Sequence, residues 1–277
     1  MQSISWARLQ QNPPLLLAHG QVTLAGRELS TALTELAQEA GLEKSQLHLV
    51  LAPGQYQLML TEAPQVGDDE LAAALRWKVA ELLSYSVEEA SLDAFALPED
   101  AYRGRQRMAY VATCPRNAVS SLDSSFAQAQ LALHSITIPE IACLRLGRLL
   151  QPAADGRALV MLSEHECQIV LIQDGHLYLS RQAPIGWSRL LQSRDFEALL
   201  LEIQRSLDYY DSQIGKGVVR QVLISPHEHA GELASYLDQN LSPEVLELDL
   251  SVWLGSSFAG VASEQALAIG AALGASA

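Results

Sequence analysis

Histidine and cysteine side chains alternate in two short stretches, where His165 precedes Cys167 and His227 precedes His229. Imidazole and thiolate groups are the ligands that zinc prefers. Strand alternation would turn His165 and Cys167 to one face, while His227 and His229 lie in a later loop. Such residues are far more often ordinary surface and core groups than ligands. We therefore predict no metal site.

Motifs of the common hydrolases and nucleotide-binding enzymes are missing from the sequence. No GxSxG, HExxH, Walker A or GxGxxG pattern occurs. The stretch Gly215-Lys-Gly217 lacks the upstream glycine and the Ser or Thr of a P-loop. A hydrolase therefore has no motif to support it.

The overall charge excludes one large class of partners. Among 277 residues, 32 Asp and Glu outnumber 18 Lys and Arg, which gives a formal net charge of −14. That charge repels a nucleic-acid backbone, so we expect no nucleic-acid partner. No apolar run reaches the roughly 18 residues of a membrane-spanning helix, and residues 1–15 lack a signal-peptide pattern. Three widely spaced cysteines without a CxxC pair fit a reducing compartment, so we expect a soluble cytoplasmic protein.

One basic cluster, Tyr102–Arg107, stands out in this acidic sequence. We interpret it as a solvated hairpin tip. Contact with anionic lipid headgroups or with an acidic tail near the membrane is the alternative.

The elements that must position these side chains fall into two groups. A hairpin is predicted at 15–18 and 21–24 around His19-Gly20, followed by a helix over 28–40 that stops at Gly41. Residues 46–132 then follow a ββαββα order, and a strand and a helix at 133–150 lead to a linker at 151–156. Beyond it the order is βββαβαβα, with Asp174-Gly175 as a hairpin turn. Three antiparallel strands followed by two crossover units form the ribonuclease-H-like half of actin-type proteins.

The helix predicted over 69–84, capped by Asp68, has two different surfaces. Its core stripe consists of apolar side chains at helical spacing: Leu71, Leu75, Val79 and Leu82. Trp77 lies nearly opposite this stripe, flanked by Ala73, Ala74 and Glu81. Either another part of the chain or a partner must cover that second surface.

Three segments carry a resemblance to a known family: DELAAALRWK at 69–78, LLSYSVEE at 82–89 and EIQRSLDYYDSQ at 202–213. They resemble the PilM and MshI family of pilus-assembly proteins, most closely its MSHA-type branch, over about residues 15–275. The resemblance implies an α/β, two-domain actin-like fold with an inserted FtsA-type α+β subdomain. Domain I, a truncated actin-like half, would comprise 1–45 and 133–152, the insert 46–132, and domain II 153–277. The C-terminal helix would pack on domain I.

Actin-like ATPases hold nucleotide with three loops, and each departs from its pattern in this sequence. The first would be Ala18–Gln21, which has no Asp, and we expect the preceding strand pair to be missing. In the second, Met161 and Ser163 replace the expected Asp and Gly. Glu164 and Glu166 add negative charge, and two charges about 4 Å apart repel by roughly 4 kcal/mol at an effective dielectric of 20. In the third, Ser225-Pro-His-Glu-His229 replaces three glycines, with His227 at its centre. We expect no cofactor and no ATP binding.

Two further pairs of residues are candidates for binding. Glu202 and Arg205 lie where a helix of actin-like ATPases contacts the purine, although a solvated pair at i, i+3 is the simpler explanation. Arg76 and Trp77 are the predicted partner-binding residues, since an exposed indole beside a cation is typical of an interface anchor.

These observations predict a non-enzymatic cytoplasmic scaffold for type IV, MSHA-type, pilus biogenesis at the inner face of the inner membrane. The resemblance implies that it binds the cytoplasmic tail of a single-pass inner-membrane protein and meets the membrane only through that partner. A homodimer is a further expectation, because a missing first strand would leave a sheet edge that residues 15–25 or another chain must cover. An active actin-like ATPase and a cytoplasmic domain of type II secretion are the alternatives.

Overall fold

The chain divides into two compact units in the computed structural model, which describes residues 3–104, 106–150, 155–214, 218–254 and 261–276. One unit combines Met1–Thr23 with Glu140–Ala277, and the other is Leu24–Pro139. The domain boundaries expected from the sequence stay predictions. The linker up to residue 154, the Gly215–Gly217 stretch and Arg105 of the basic cluster lie outside the described residues.

The N-terminal segment forms a two-stranded antiparallel sheet of β1 (Ser3–Gln10) and β2 (Leu15–Thr23). The expectation that no strand precedes residue 15 is therefore wrong, and so is the turn at His19-Gly20. Gly20 lies inside β2, opposite Trp6 of β1. The turn is at 11–14, where two prolines break the strand pattern. The predicted exposed sheet edge depended on a missing first strand, so that prediction no longer has support.

The described residues of the unit Leu24–Pro139 form two sheets. Its helices and strands are α1 (Leu29–Ala40), β3 (Leu47–Val50), β4 (Gln57–Glu62), α2 (Asp68–Leu75), β5 (Ala90–Ala96), β6 (Met108–Pro115), α3 (Arg116–Gln128) and β7 (Leu133–Thr137). Strands β4, β6 and β5 form an antiparallel sheet in that order, and β3 pairs in parallel with β7. The predicted ββαββα block is therefore not one sheet, because its first strand pairs outside it.

Helix α2 covers one face of the three-stranded sheet. Leu71, Leu75 and Val79 are fully buried with Ala109 and Val111 of β6, which confirms most of the predicted stripe. The α-helix is shorter than predicted, since it ends at Leu75 and continues through turns to a 3₁₀ turn at Ala80–Leu82. Leu82 is 61% exposed, so its assignment to the core stripe is wrong. The N-cap is Gly67 rather than Asp68.

The other unit is built around a five-stranded sheet. After the N-terminal hairpin, its elements are α4 (Pro139–Leu149), β8 (Gly156–Leu162), β9 (Cys167–Gln173), β10 (His176–Ala183), α5 (Trp187–Ser193), α6 (Glu197–Tyr209), β11 (Val219–Ile224), α7 (Ala230–Asp238), β12 (Glu244–Glu247), α8 (Ser251–Leu254) and α9 (Ser263–Ala272). The strand order is β10-β9-β8-β11-β12. The first three strands are antiparallel, and β11 lies parallel to both β8 and β12. The predicted βββαβαβα order is confirmed, with α5 and α8 added.

Packing on this sheet explains the apolar strands of the second half. Strand β9 is buried along its whole length and β8 nearly so, as expected for strands covered on both faces. Asp174 and Gly175 both adopt positive φ in the predicted turn between β9 and β10.

Helix α9 packs against β1, and Gln11 Nε2 donates to the carbonyl oxygen of Ala272 at 2.8 Å. None of the helices in the described ranges is long and apolar enough to cross a bilayer.

Candidate functional site

The loop between β8 and β9 is held in a closed conformation by its own polar groups. Ser163 N donates to the carbonyl oxygen of Glu166 at 2.9 Å, and Glu166 N donates to Ser163 Oγ at 3.1 Å. Met161, at the position where the loop of actin-like ATPases carries an aspartate, is buried in β8. The side chains of Glu164, His165 and Glu166 are exposed, so the loop presents two carboxylates to solvent.

The start of helix α5 closes against this loop. The Trp187 N–H donates to the carbonyl oxygen of Ser163 and the Ser188 N–H to that of Glu164, both at 3.0 Å. A Cβ on Gly186 would lie 2.4 Å from His165 N and 2.5 Å from Glu164 O. Only glycine allows this close approach. The amides that begin a helix are the usual donors to a phosphate, and two of them here bind the chain's own carbonyls.

The loop after β11 forms a second wall of the same region. Ser225 is buried; its N–H donates to the carbonyl oxygen of Val160, and its Oγ accepts from Leu162 N–H, both at 2.9 Å. The His227 ring stacks on the Trp187 indole, with centroids 4.0 Å apart and planes at 14°. Trp187 is 3% exposed. The stack therefore joins the start of α5, which contacts the Ser163–Glu166 loop, to the loop after β11.

Burial controls the protonation of this region. Burial, and then the neighbouring His229, lower the pKa of His227 below its ordinary value. His227 Nδ1 accepts a hydrogen bond from His229 N–H at 3.2 Å, which requires the nitrogen to be unprotonated. Burial also raises the pKa of the Cys167 thiol to about 11, with Glu202 and Glu166 adding to the effect. The thiol is therefore protonated at neutral pH and a poor ligand or nucleophile.

The side chains considered for a metal do not come together as a ligand set. His165 is exposed in the turn whereas Cys167 is buried in β9, so the expectation that they share a face is wrong. Strand alternation does not extend into the turn. In the portion of the chain that the structure describes, no group of three or more His, Cys, Asp or Glu side chains is arranged to hold a metal ion.

The two candidate purine-side residues pair with each other. Arg205 Nη1 lies 2.6 Å from Glu202 Oε1, an ion pair at i, i+3 on α6. The Arg205 side chain is 62% exposed and the Glu202 side chain 23%, beside the buried Leu199 and Ile203. An i, i+3 ion pair at the edge of the buried face of α6 explains both residues without a ligand.

The predicted partner surface lies in the unit Leu24–Pro139, just after α2. Trp77 is 67% exposed, which confirms that it lies off the core stripe. Arg76 does not lie free beside it, since its Nη1 donates to the carbonyl oxygens of Val87 at 2.8 Å and Ala90 at 3.4 Å. Arg76 therefore has a structural role in fixing the segment that leads into β5.

The basic cluster has a structural contact as well. Arg107 Nη1 donates to the carbonyl oxygens of Pro64 and Val66, each at 2.8 Å. Tyr102 and Arg103 adopt positive φ in a tight turn between β5 and β6. The cluster is thus part of a hairpin connection, and its Arg107 holds the segment before α2 in place through hydrogen bonds.

Sequence reasoning missed α5, which supplies Gly186 and Trp187 to the loop region. A signal was present in Pro184-Ile-Gly186, a breaker pair that ends β10 directly before an apolar-polar helical pattern. The contact of Gly186 with Glu164 and His165 joins residues about 20 positions apart, and local spacing does not specify it.

Comparison of the folds defines the class of protein. No protein-family model and no curated protein sequence matches the chain. Among solved structures, a Bacteroides thetaiotaomicron protein with an actin-like ATPase fold is similar, with a TM-score of 0.50 and 8% identity over 89% of this chain and 91% of that one. The chain has a mixed α/β, actin-like fold.

Within that class the likeness is greater to proteins of secretion and pilus assembly. A PilM-PilN type IV pilus biogenesis complex gives a TM-score of 0.79 and 18% identity, covering 98% of this chain and 95% of the other. The cytoplasmic domain of EpsL, an inner-membrane component of the type II secretion system of Vibrio cholerae, gives 0.54 and 14%, covering 92% and 91%. The fold is therefore PilM-like.

Proposed function

We propose that this protein is a non-enzymatic cytoplasmic scaffold in type IV pilus biogenesis, of the MSHA type, which binds the cytoplasmic tail of a single-pass inner-membrane protein. The PilM-like fold over nearly the whole chain supports this assignment, because its counterpart was solved in a complex with PilN. The segments at 69–89 and 202–213 that resemble the MSHA-type branch support the finer assignment.

The closure of the loop Ser163–Glu166 onto α5 supports the proposed absence of enzymatic activity. The carbonyl oxygens of the loop accept hydrogen bonds from the N–H groups of Trp187 and Ser188, and Gly186 packs against the loop backbone. A phosphate would have to displace these bonds and then lie near the exposed carboxylates of Glu164 and Glu166. Breaking the hydrogen bonds and placing a phosphate near two carboxylates both cost free energy. Met161 offers no carboxylate for a metal ion that could offset this cost.

The surface around Trp77 is the proposed binding site for the tail. An exposed indole offers a large, rigid contact area, and such residues dominate binding energies at interfaces. Leu82, five residues further along the chain, is also largely exposed. The two cations nearest to Trp77 in the sequence, Arg76 and Lys78, donate to backbone carbonyls, so Trp77 rather than Arg76 is the proposed anchor.

A cytoplasmic role in type II secretion is the second candidate, and the likeness to the EpsL domain favours it. The larger TM-score with the PilM complex, 0.79 against 0.54, favours the pilus. Titration with the cytoplasmic tails of PilN-type and secretion-type membrane proteins separates the two, because only the cognate tail should bind.

Two measurements test the proposal. Calorimetry with Mg-ATP should give no binding heat, and micromolar affinity would overturn the non-enzymatic assignment. Titration with a PilN-type tail should give binding that Trp77→Ala weakens by about 2 kcal/mol or more. Leu246→Ala, which removes an exposed leucine on β12, is the matched control. Equal affinities for both variants would move the site away from Trp77.

A further inference from the structure

An exposed stripe runs along α2 and the turns that follow it. Glu70, Ala73, Ala74 and Trp77 are spaced i, i+3, i+4 and i+7, and all four are exposed, so they share one helix face. The backbone stays right-handed helical beyond Leu75, with helical dihedrals at Arg76 and Val79. Glu81, also exposed, therefore follows Trp77 by about one turn. We call these five residues the Trp77 stripe, an indole between two carboxylates.

The cations of this segment are directed to the chain itself. Lys78 Nζ donates to the carbonyl oxygen of Glu62 at 2.9 Å, and Arg76 donates to Val87 and Ala90. Residues 68–89 contain six carboxylates, of Asp68, Asp69, Glu70, Glu81, Glu88 and Glu89, against these two cations. The formal charge of the segment is therefore −4. Two of the six carboxylates, Glu70 and Glu81, belong to the Trp77 stripe.

We infer that the Trp77 stripe binds a Lys- or Arg-rich segment of its partner, with one cationic side chain over the indole of Trp77 and others beside Glu70 and Glu81. Tryptophan is the aromatic side chain that attracts a cation best, and carboxylates on either side add Coulombic attraction. The inference rests on the proposed function. It adds the chemistry of the tail, which the fold likeness does not specify.

The membrane-proximal position of such a tail supplies the complementary charge. Segments directly cytoplasmic to a membrane-spanning helix carry an excess of Lys and Arg. A second copy of this chain is a poorer occupant, because its net charge of −14 and its own acidic stripe would repel. An anionic bilayer surface would be repelled for the same reason.

Binding of a fluorescein-labelled PilN-type tail to the full-length protein, followed by anisotropy at 50 and 500 mM NaCl, tests the inference. The second probe is the same peptide with every Lys and Arg replaced by Gln. The test variant is Glu70→Gln with Glu81→Gln. The control is Glu39→Gln with Glu264→Gln, two exposed glutamates on α1 and α9 that change the net charge equally.

We expect Glu70→Gln with Glu81→Gln to weaken binding about fivefold at 50 mM NaCl, a modest factor because exposed ion pairs are individually weak. The control pair lies outside the Trp77 stripe and should weaken binding less than twofold. The high salt should weaken the wild-type complex by a similar factor, and the Gln peptide should bind worse than the native tail. A tail that binds with no dependence on salt, on its own cations or on Glu70 and Glu81 overturns the inference and leaves the proposed function intact. A tail that fails to bind at either salt concentration overturns the proposed function. Dimerisation that the Glu70 and Glu81 variants strengthen would assign the stripe to a second copy and overturn the inference.

Discussion

Replacing Gly186 with alanine should destabilise the protein through a backbone clash. The added methyl group would lie 2.4 Å from His165 N and 2.5 Å from the carbonyl carbon and oxygen of Glu164, which is about 1 Å closer than van der Waals contact. Backbone atoms cannot rotate away as a side chain can. Relief would require the loop to move off α5, which breaks the two hydrogen bonds from Trp187 and Ser188. Overpacking of this kind costs about 1–3 kcal/mol.

A cost of about 2 kcal/mol lowers the melting temperature by roughly 4–8 °C in a domain of this size. Differential scanning fluorimetry and urea denaturation measure the effect. Gly231→Ala is the matched control, since Gly231 lies in α7 with no atom within 4 Å of its added methyl group, and alanine should leave stability unchanged or raise it by up to about 1 kcal/mol. Gly186→Ala with a wild-type melting temperature would refute the closed loop on which the non-enzymatic assignment rests.

Three further results are expected. Leu71→Ala should cost about 2–5 kcal/mol in the free energy of unfolding, and Leu82→Ala should stay within about 0.5 kcal/mol, because only Leu71 is buried; urea denaturation that gives equal costs would contradict the packing of α2. Folding lowers the pKa of His227, so neutral His227 stabilises the folded state fully at pH values above the ordinary pKa of 6.5, and this stabilisation is lost as the pH falls below 6.5. The free energy of unfolding of His227→Gln should therefore decrease less than that of wild type between pH 7 and 5. Native protein should expose at most the half-buried Cys114 to Ellman's reagent, and the two buried cysteines should react only after unfolding.

Local chemistry made part of the fold predictable. The Asp174-Gly175 turn and the end of α1 at Gly41 depend on residues that favour positive φ, and both are present as predicted. The apolar runs of the second half likewise indicate strands buried on both faces. In each case neighbouring residues contain the information.

Long-range pairing and helix ends were less accessible. Strand β3 pairs with β7 across more than 80 residues, and its periodicity fits pairing with β4 equally well. Strand β1 was missed although Ile4 and Trp6 alternate with serines, since the alternation breaks at Trp6-Ala7. Leu82 continues the α2 stripe at helical spacing, but the helix ends at Leu75. The closed loop at Ser163 depends on Gly186, which only tertiary packing brings near.

The contact between β1 and α9 has a consequence for the order in which the chain becomes structured on the ribosome. Gln11 and Ala272, which share a hydrogen bond, are 261 positions apart, and synthesis at roughly 5–20 residues per second separates their emergence by about 13–50 seconds. An isolated two-stranded hairpin is marginally stable in water. Strands β1 and β2 therefore lack their packing partner, α9, for most of synthesis. The contiguous stretch Leu24–Pro139 meets no such delay. We therefore expect it to acquire structure first during translation, and the nascent N-terminal hairpin to be the segment that needs chaperone protection.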